Sequence, residues 1–311
     1  MQPLVLVITG PTATGKTALA VELAKSLNGE VVSADSMQIY KYMDIGTAKV
    51  TEEEKCGVPH HMVDCVSPFE DYSAARYVEE ASVCCDDILS RGRLPVIAGG
   101  TGLYIDSLLA GRTFAQRGDE SIRARLSAEY DEYGGEVLHE RLKIADPEAA
   151  ARLHANDKKR IVRALEIFEA TGIPMSEHDR LSREVPPKYR AVKIALSFED
   201  REDLYARIDK RVDLMMEAGL VNEVTKLLDM GLTAKHTAMQ AIGYKELVAA
   251  IQNGESFDLA ADRIKQESRR YAKRQLSWLR RDESINWIFW KKTPKIDTAL
   301  QISTEILNKY R

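Results

Sequence analysis

The sequence has few cysteines, four among its 311 residues: Cys56, Cys65, Cys84 and Cys85. That number and placement exclude the disulfide framework of a small secreted protein. Cys56 and Cys65 flank His60 and His61, but their spacing matches none of the usual zinc patterns. We interpret the four side chains as thiols of a protein kept in a reducing compartment.

Two further features are missing from the sequence: a long hydrophobic run and an excess of charge. No apolar stretch approaches the length that a membrane-spanning helix needs. An apolar segment and a glycine-rich loop already occupy residues 4–17, so we expect no signal peptide, no membrane partner and a cytoplasmic location. The formal net charge of −4 does not by itself suggest a nucleic-acid partner.

The charge is nevertheless unevenly distributed along the chain. Residues 263–281 contain eight basic side chains and one acidic side chain. Their periodicity predicts a long helix that carries Arg270, Lys273, Arg274 and Trp278. Three interpretations stay open for its basic face: a solvated surface, a helix lying on a membrane, or a strip that binds nucleic acid.

A glycine-rich loop is the strongest signal in the sequence. Residues 10–17 match the phosphate-binding pattern G-x-x-x-x-G-K-[ST], with an apolar segment before them and a predicted helix after them. Glycine lets backbone N–H groups come close to phosphate oxygens, and the helix start adds partial positive charge. Lys16 would neutralise phosphate charge, and the Thr17 hydroxyl would hold Mg²⁺. We predict a diphosphate or triphosphate site on Gly10, Pro11, Thr12, Ala13, Thr14, Gly15, Lys16 and Thr17.

Strands alternate with helices in the first part of the chain. Segments 31–35 and 94–98 are predicted strands, and 71–89 is a predicted helix. This alternation predicts an α/β fold, a P-loop NTPase-like parallel sheet flanked by helices. After this first part, the chain shows helical periodicity without a convincing strand, which predicts an all-helical insertion domain. We place the first part of the core at 1–114, the insertion at 115–190, and the second part of the core, with basic C-terminal helices, at 191–311.

Polar side chains follow two of the predicted strands. Asp35 follows the second strand, where the carboxylate of a phosphate-loop enzyme faces the acceptor, so it is a candidate general base or indirect Mg²⁺ ligand. The alternative is a carboxylate that only caps a turn. Thr101 follows the third strand, at a position where a motor ATPase would have a carboxylate. Its presence there argues against a motor ATPase. The carboxyl ends of parallel strands meet at one edge, so we expect both side chains near the phosphate loop.

Basic side chains also cluster on a predicted helix within the insertion. Lys159, Arg160 and Arg163 share one side of the helix that spans 158–170. A cationic surface for a polyanion is the functional interpretation. The alternative is the ordinary solvated face of a helix whose other side is buried.

Two arginines lie four residues apart on a helix in the second part of the core. Arg207 and Arg211 therefore share a face, and either one could reach the phosphate crevice. For each, the alternative is a surface ion pair with Asp203 or Asp209. The sequence does not decide which arginine reaches the phosphates.

Seven segments in order along nearly the whole chain resemble the bacterial tRNA dimethylallyltransferases, also called tRNA isopentenyltransferases. Two positions depart from the usual family pattern, Ala155 and Val50, where proline is common. Both are loop positions without chemistry of their own. The segments are 10–17 (GPTATGKT), 34–49 (ADSMQIYKYMDIGTAK), 57–64 (GVPHHMVD), 98–104 (AGGTGLY), 156–166 (NDKKRIVRALE), 240–246 (QAIGYKE) and 270–280 (RYAKRQLSWLR).

The resemblance implies that a dimethylallyl group moves from its diphosphate to N6 of the adenosine just 3′ of the anticodon. It implies Asp35, Lys16, Thr101 and Arg211 as catalytic residues, Mg²⁺ on Thr17, and a protein that acts as a monomer. The implied partners are dimethylallyl diphosphate and the anticodon stem-loop of tRNA. The implied tRNA contacts are Asp35, Ser36, Met37, Gln38, Thr101, Arg123, Lys159, Arg160, Ile161, Val162, Arg163, Gln240, Ala241, Ile242, Gly243, Tyr244 and Lys245.

Other functions are compatible with parts of the pattern. A small-molecule kinase also has a phosphate loop and a carboxylate after its second strand, and a prenyltransferase could act on free AMP or ADP. A nucleotide-sized acceptor needs no helical insertion of this size, which argues against both. An RNA-binding regulator would tolerate a degenerate loop, whereas Lys16, Thr17 and Asp35 are intact.

Overall fold

The computed structural model describes residues 2–111 and 119–310. Its strands are β1 (Leu4–Thr9), β2 (Gly29–Ser33), β3 (His60–His61), β4 (Leu94–Ala98), β5 (Arg190–Phe198) and β6 (Ile285–Trp290). All pair in parallel, in the order β3-β2-β4-β1-β5-β6. The predicted α/β fold with a parallel sheet is confirmed.

Helices connect and cover these strands, and in the described residues none is both long enough and apolar enough to cross a membrane. A short 3₁₀ turn, Ala238–Gln240, precedes the twelfth helix. The α-helices are α1 (Lys16–Ser26), α2 (Glu52–Lys55), α3 (Ala74–Ser90), α4 (Gly102–Ala110), α5 (Glu120–Tyr133), α6 (Gly135–Ala145), α7 (Pro147–Arg152), α8 (Lys158–Thr171), α9 (Met175–Glu184), α10 (Arg201–Glu217), α11 (Leu220–Asp229), α12 (Tyr244–Asn253), α13 (Phe257–Leu279) and α14 (Ile296–Asn308).

Strand β1 shows why the sheet is covered on both faces. Val5 and Val7 belong to one apolar core, which α3, α11 and α12 complete. Leu6 and Ile8 belong to a second core, which α1, α10 and α14 complete. Successive side chains of a strand point to opposite faces, so a strand that is apolar at every position is buried on both.

Two of the six strands were not predicted from the sequence. β3 has only two residues, too few for any periodic pattern. β6 is a short apolar run, INWIFW, that pairs in parallel with β5 at the edge of the sheet. Its lack of polar alternation, together with β-branched and aromatic residues, is the signal that would have identified it.

A buried carboxylate near the start of β2 links several elements. Glu30 bonds to Arg91 at the end of α3, to Arg93 at 2.6 Å and to Nε2 of His61 at 2.7 Å. The hydrogen bond from Arg91 is the largest cause that lowers the pKa of Glu30 to about 2. A carboxylate as deeply buried as this one is stable only with such partners, so β2, β3 and α3 are tied together here.

The chain divides into two compact units. One comprises Met1–Leu109 with Lys188–Arg311 and contains the sheet; the other is Ala110–Pro187.

In the second unit, helix α8 starts at Asp157, whose side chain accepts the Arg160 N–H, and ends at Gly172 with a positive φ. The predicted boundary between residues 114 and 115 lies outside the described residues. The core of this unit includes Leu126, Leu138, Leu142, Ala150, Ile161, Val162, Ala164 and Leu165.

Candidate active site

The glycine-rich loop joins the end of β1 to the start of α1, as predicted. Gly10 has a φ of 138°, and a Cβ there would lie 2.3 Å from the Leu196 carbonyl oxygen. Gly15 has a φ of 87° and directly precedes α1. Both positions require glycine, because an L side chain rarely adopts these angles. The first backbone N–H groups of α1 are consequently available to an anion.

Three side chains from other elements hold the backbone of this loop. The Thr12 N–H donates to Oε1 of Gln275 at 3.1 Å. The Ala13 carbonyl accepts from Arg207 Nε at 3.0 Å, and the Thr14 carbonyl accepts from Trp290 Nε1 at 2.9 Å. Gln275 and Trp290 were not identified from the sequence, because they lie more than 260 positions away along the chain.

A cavity of about 840 Å³ opens beside the loop. Its polar side includes Lys16, Asp35 and Arg211. Small and apolar side chains form another part of the wall: Ala13, Met37, Ile208, Val212, Leu214, Met215, Ala241, Ile242 and Ile264. This apolar wall was not predicted, because its members come from five separate segments.

Two cations face this cavity together. Lys16 Nζ donates to the Pro11 carbonyl at 2.6 Å. The pKa of Lys16 is lowered to about 7, chiefly by burial and in part by the charge of Arg211, while the charge of Asp35 opposes the shift. Burial also lowers the pKa of Arg211. Burial therefore disfavours the charged forms of both side chains, and an anionic ligand would stabilise them.

Asp35 caps a turn and also lines the cavity, so it is placed for both interpretations that the sequence left open, and its role as a general base stays a prediction. Its Oδ1 accepts from the Met37 N–H at 2.9 Å and from the Gln38 N–H at 3.4 Å, so it caps a turn. It also lines the cavity, and its charge acts on Lys16 and Arg211. Capping thus fixes the carboxylate in place without removing it from the site.

Thr101 closes the turn behind the cavity. Its Oγ1 accepts from the Ser36 N–H at 3.1 Å, and its own N–H donates to the Ala34 carbonyl at 3.1 Å. Gly99 and Gly100 line the cavity, but Thr101 is not among the lining residues. Its observed contacts hold the segment that carries Asp35, and a direct contact with substrate stays a prediction.

The two arginines of α10 differ in what they contact. Arg207 donates to the loop and lies over the ring of Phe198, so the suggested surface ion pair does not form. Asp209 instead pairs with Arg269. Both arginines line the cavity, and in the described residues only Arg207 has a hydrogen-bond partner there. Arg211 is therefore the arginine placed to meet a ligand.

Residues 240–245 contribute unequally to the cavity. Gln240, Ala241, Ile242, Gly243 and Lys245 line it. Tyr244 is fully buried and donates its phenol to the Glu223 carboxylate at 2.6 Å. The side chain of Tyr244 is thus internal, and this carboxylate partner was not anticipated from the sequence.

Within the second unit, the predicted basic cluster is partly used internally. Arg123 and Arg163 both pair with the buried carboxylate of Glu166, at 3.0 Å and 3.1 Å. Arg160 is 70% exposed and pairs with Asp157 at 3.3 Å. Lys159 is exposed as well. Ile161 and Val162 lie between Arg160 and Arg163 in the sequence and are core residues, as the helix period requires. Their burial does not support a direct contact of these two side chains with tRNA.

Helix α13 combines ion pairs with cavity contacts, so its basic face is not uniformly free. Arg269 and Arg270 pair with acidic partners, Asp209 and Glu267. Trp278 Nε1 donates to Asp106 at 2.9 Å. Four further residues of the helix line the cavity beside Gln275: Ile264, Ser268, Tyr271 and Arg274.

Comparisons with known proteins agree with this geometry. The family model described as IPP transferase matches residues 38–282, and one described as isopentenyl transferase matches residues 3–62. The tRNA dimethylallyltransferase of Acetivibrio thermocellus is 51% identical over 285 residues, 91% of each chain. That of Bacillus velezensis is 49% identical over 298 residues, 95% of this chain and 93% of the relative. The chain belongs to the tRNA dimethylallyltransferase family.

Solved structures extend the similarity to the whole fold. The tRNA isopentenylpyrophosphate transferase of Bacillus halodurans is 42% identical with a TM-score of 0.74, covering 99% of this chain and 97% of that one. A eukaryotic dimethylallyltransferase described as acting on tRNA is 30% identical with a TM-score of 0.85, covering 99% and 80%. The predicted family, P-loop NTPase-like fold and prenyltransferase class are confirmed, which argues against the kinase and regulator alternatives.

We predict that inorganic diphosphate binding draws a proton onto Lys16. The pKa of Lys16 in the free site is about 7, and a bound anion raises it, because opposite charge favours the ammonium form. At pH 8 most of the Lys16 population is neutral, so binding takes up a proton; at pH 6 this uptake largely disappears. Calorimetric titration in two buffers with different ionisation enthalpies measures the number of protons taken up.

Lys16→Arg is the matched control for this titration, because a guanidinium stays charged across the whole range. Diphosphate itself exchanges protons, so the relevant quantity is the difference between wild type and this variant at pH 8. Equal proton uptake by both proteins would contradict the assignment to Lys16.

Proposed function

We propose that this chain, acting as a cytoplasmic monomer, transfers the dimethylallyl group of dimethylallyl diphosphate to N6 of the adenosine 3′-adjacent to the anticodon in tRNA. The observation that carries the proposal is the common cavity of Lys16, Arg211 and Asp35, next to an apolar wall.

The diphosphate of the donor would lie on the glycine-rich loop. Lys16 and Arg211 would neutralise its charge. The diphosphate would in turn stabilise the charged forms of both side chains, which burial disfavours. The five-carbon tail has no polar atoms, so it would lie against apolar side chains such as Ile208, Val212 and Met215. A kinase has no need for such a wall beside the terminal phosphate.

The residues present also fit Mg²⁺. In the described residues no group of three or more His, Cys, Asp and Glu side chains could hold a metal by itself. Thr17 and Asp35 line the cavity with oxygen atoms, and Mg²⁺ in phosphate sites is commonly bound by one or two protein oxygens together with the phosphates. When bound, it would neutralise charge on the leaving diphosphate.

The reaction forms one bond and breaks another. The N6 lone pair of the adenine attacks C1 of the dimethylallyl group, and the C1–O bond to diphosphate breaks. Lys16 and Arg211 stabilise the negative charge that develops on the leaving oxygen. Asp35 accepts the N6 proton through the carboxylate that faces the cavity. Because the exocyclic amine of a stacked base cannot reach this cavity, the adenosine would leave its stack to enter it.

The remaining tRNA would be held by charges outside the cavity. The exposed Lys159 and Arg160 of the second unit are suited to phosphate contacts. Lys245 and Arg274 are placed at the cavity itself and would contact the nucleotides around the target. The overall negative charge of the chain does not oppose this, because phosphate contacts depend on local charge.

The proposal is tested by incubating the protein with labelled dimethylallyl diphosphate and unmodified tRNA. Label should enter tRNA with release of diphosphate, and an anticodon stem-loop without the target adenosine should stay unlabelled. AMP as the acceptor, or ATP as the donor, tests the two enzyme alternatives. Efficient labelling of AMP, or phosphate transfer from ATP, would overturn the proposal.

We predict that two substitutions at Asp35 separate its roles. Asp35→Asn keeps an oxygen to cap the turn but removes the base, whereas Asp35→Ala removes both. Each should lower the single-turnover rate by about 10²–10⁴-fold. Asp35→Asn should leave tRNA affinity within a few-fold of wild type, as measured by filter binding. A near-normal rate for Asp35→Asn beside an inactive Asp35→Ala would mean that Asp35 serves only the turn.

We predict that replacing Lys159 and Arg160 by Ala weakens tRNA binding and flattens its dependence on salt. Each lost phosphate contact should reduce the logarithmic salt slope by about one. Arg163 is kept, since its loss would disturb the buried Glu166. Arg180→Ala is the control, because Arg180 is an exposed arginine of the same unit paired with Glu177 and Glu184. Unchanged affinity and slope in the double variant would assign these side chains to a solvated face.

A further inference from the structure

The loop of residues 44–48 forms part of the cavity wall, and the reaction as proposed gives it no role. Gly46, Thr47 and Ala48 line the cavity together with residues of the phosphate loop. Their side chains are small, so the path of the backbone determines the shape of the wall here. Whatever fixes this backbone also sets the space available to the acceptor.

A single carboxylate holds the loop. Oε2 of Glu223, on helix α11, accepts from the N–H groups of Asp44 at 2.9 Å and Ile45 at 2.8 Å. Oε1 accepts from the Gly46 N–H at 3.1 Å and from the Tyr244 phenol at 2.6 Å. Both oxygens thus have two donors, and none of the four partners is itself charged.

This arrangement requires a negatively charged acceptor. Three successive backbone N–H groups that converge on one point form a concave site for an anion, and here the chain supplies the anion itself. A neutral amide at position 223 would offer only one acceptor oxygen to these donors. Its own N–H groups would face other N–H or O–H groups, which cannot accept from them. The approach is also close, because a Cβ at Gly46 would lie 2.5 Å from the buried Tyr244 ring.

The loop in turn holds the segment that carries Asp35. The side-chain amide of Gln38 donates to the carbonyls of Thr47 at 3.3 Å and Ala48 at 3.2 Å. The Gln38 backbone N–H donates to Asp35 Oδ1. A continuous chain of hydrogen bonds therefore runs from Glu223 through the loop and Gln38 to the Asp35 carboxylate.

We propose that Glu223 is a positioning residue for the transfer reaction: it fixes loop 44–48 and, through Gln38, the placement of Asp35 towards the acceptor adenine. Glu223 is not among the residues that line the cavity, so we assign it no contact with the substrate. The inference rests on the proposed function, since it assigns Glu223 to the acceptor side of that reaction. The donor side, on the phosphate loop, is held independently by Gln275, Arg207 and Trp290.

Glu223→Gln tests the assignment in the full chain. The rate of labelled transfer to tRNA at saturating substrates should fall by about 10- to 100-fold, because small displacements of reacting groups are costly. Calorimetric affinity for dimethylallyl diphosphate should stay within about twofold, because the phosphate loop is untouched. Hydrogen exchange should accelerate at the amides of Asp44, Ile45 and Gly46.

Two further variants make the result specific. Asp229→Asn removes an exposed carboxylate from the same helix and should change none of the three measurements. Gly46→Ala displaces the loop against Tyr244 with Glu223 intact, and should reproduce the loss of rate with normal donor affinity. If Glu223→Gln does not give folded protein, Gly46→Ala decides by the same criteria.

Two outcomes would overturn the inference. One is faster exchange at residues 44–46 with an unchanged transfer rate, which would make the loop irrelevant to the acceptor. The other is a parallel loss of donor affinity and rate, which would reduce Glu223 to general structural support. A wild-type protein that does not prenylate tRNA would instead refute the proposed function itself, and with it this inference.

Discussion

The electrostatic constraint at the centre of the structure is the pairing of two cations, Lys16 and Arg211, in one cavity with Asp35 as the nearby carboxylate. Burial lowers the pKa of both side chains, so their charged forms are unfavourable until an anion arrives. A neutral or singly charged ligand would do little to stabilise these charged forms, whereas a diphosphate would stabilise both Lys16 and Arg211. The charge balance of this cavity therefore favours an anionic ligand such as a diphosphate.

That charge balance depends on a backbone that cannot relax around the cations. Gly10 and Gly15 permit the loop conformation but do not enforce it, because glycine is also the most flexible residue. Gln275, Arg207 and Trp290 supply the missing rigidity by bonding to three successive loop residues. The long helix α13, for whose basic face the sequence left three interpretations open, thereby also helps to hold the glycine-rich loop through Gln275.

Local patterns predicted most of the fold, and contacts between distant segments account for what they missed. Helix α8 and strand β4 were predicted within a residue, because each has a clear pattern and identifiable ends. The glycine loop and Asp35 were identifiable because their chemistry lies in short, contiguous motifs. Glu223, Gln275 and Trp290 have no such motif: each acts on a backbone far away in the sequence, and side-chain type alone does not reveal the partner. The same limit applies to Arg123 and Arg163, whose shared partner Glu166 sits on the buried side of α8.

Asp35 caps a turn, and its carboxylate also lines the cavity. Its Oδ1 bonds to two backbone N–H groups, and in the described residues no hydrogen bond occupies Oδ2. Anchoring one oxygen fixes the direction of the other without the entropy loss that orienting a free side chain would require on substrate binding. The same turn is anchored behind the cavity by Thr101 and at the side by Gln38, so the carboxylate is constrained on two sides. A carboxylate held in this way can act on an acceptor that arrives from outside, because its position does not depend on the acceptor being present.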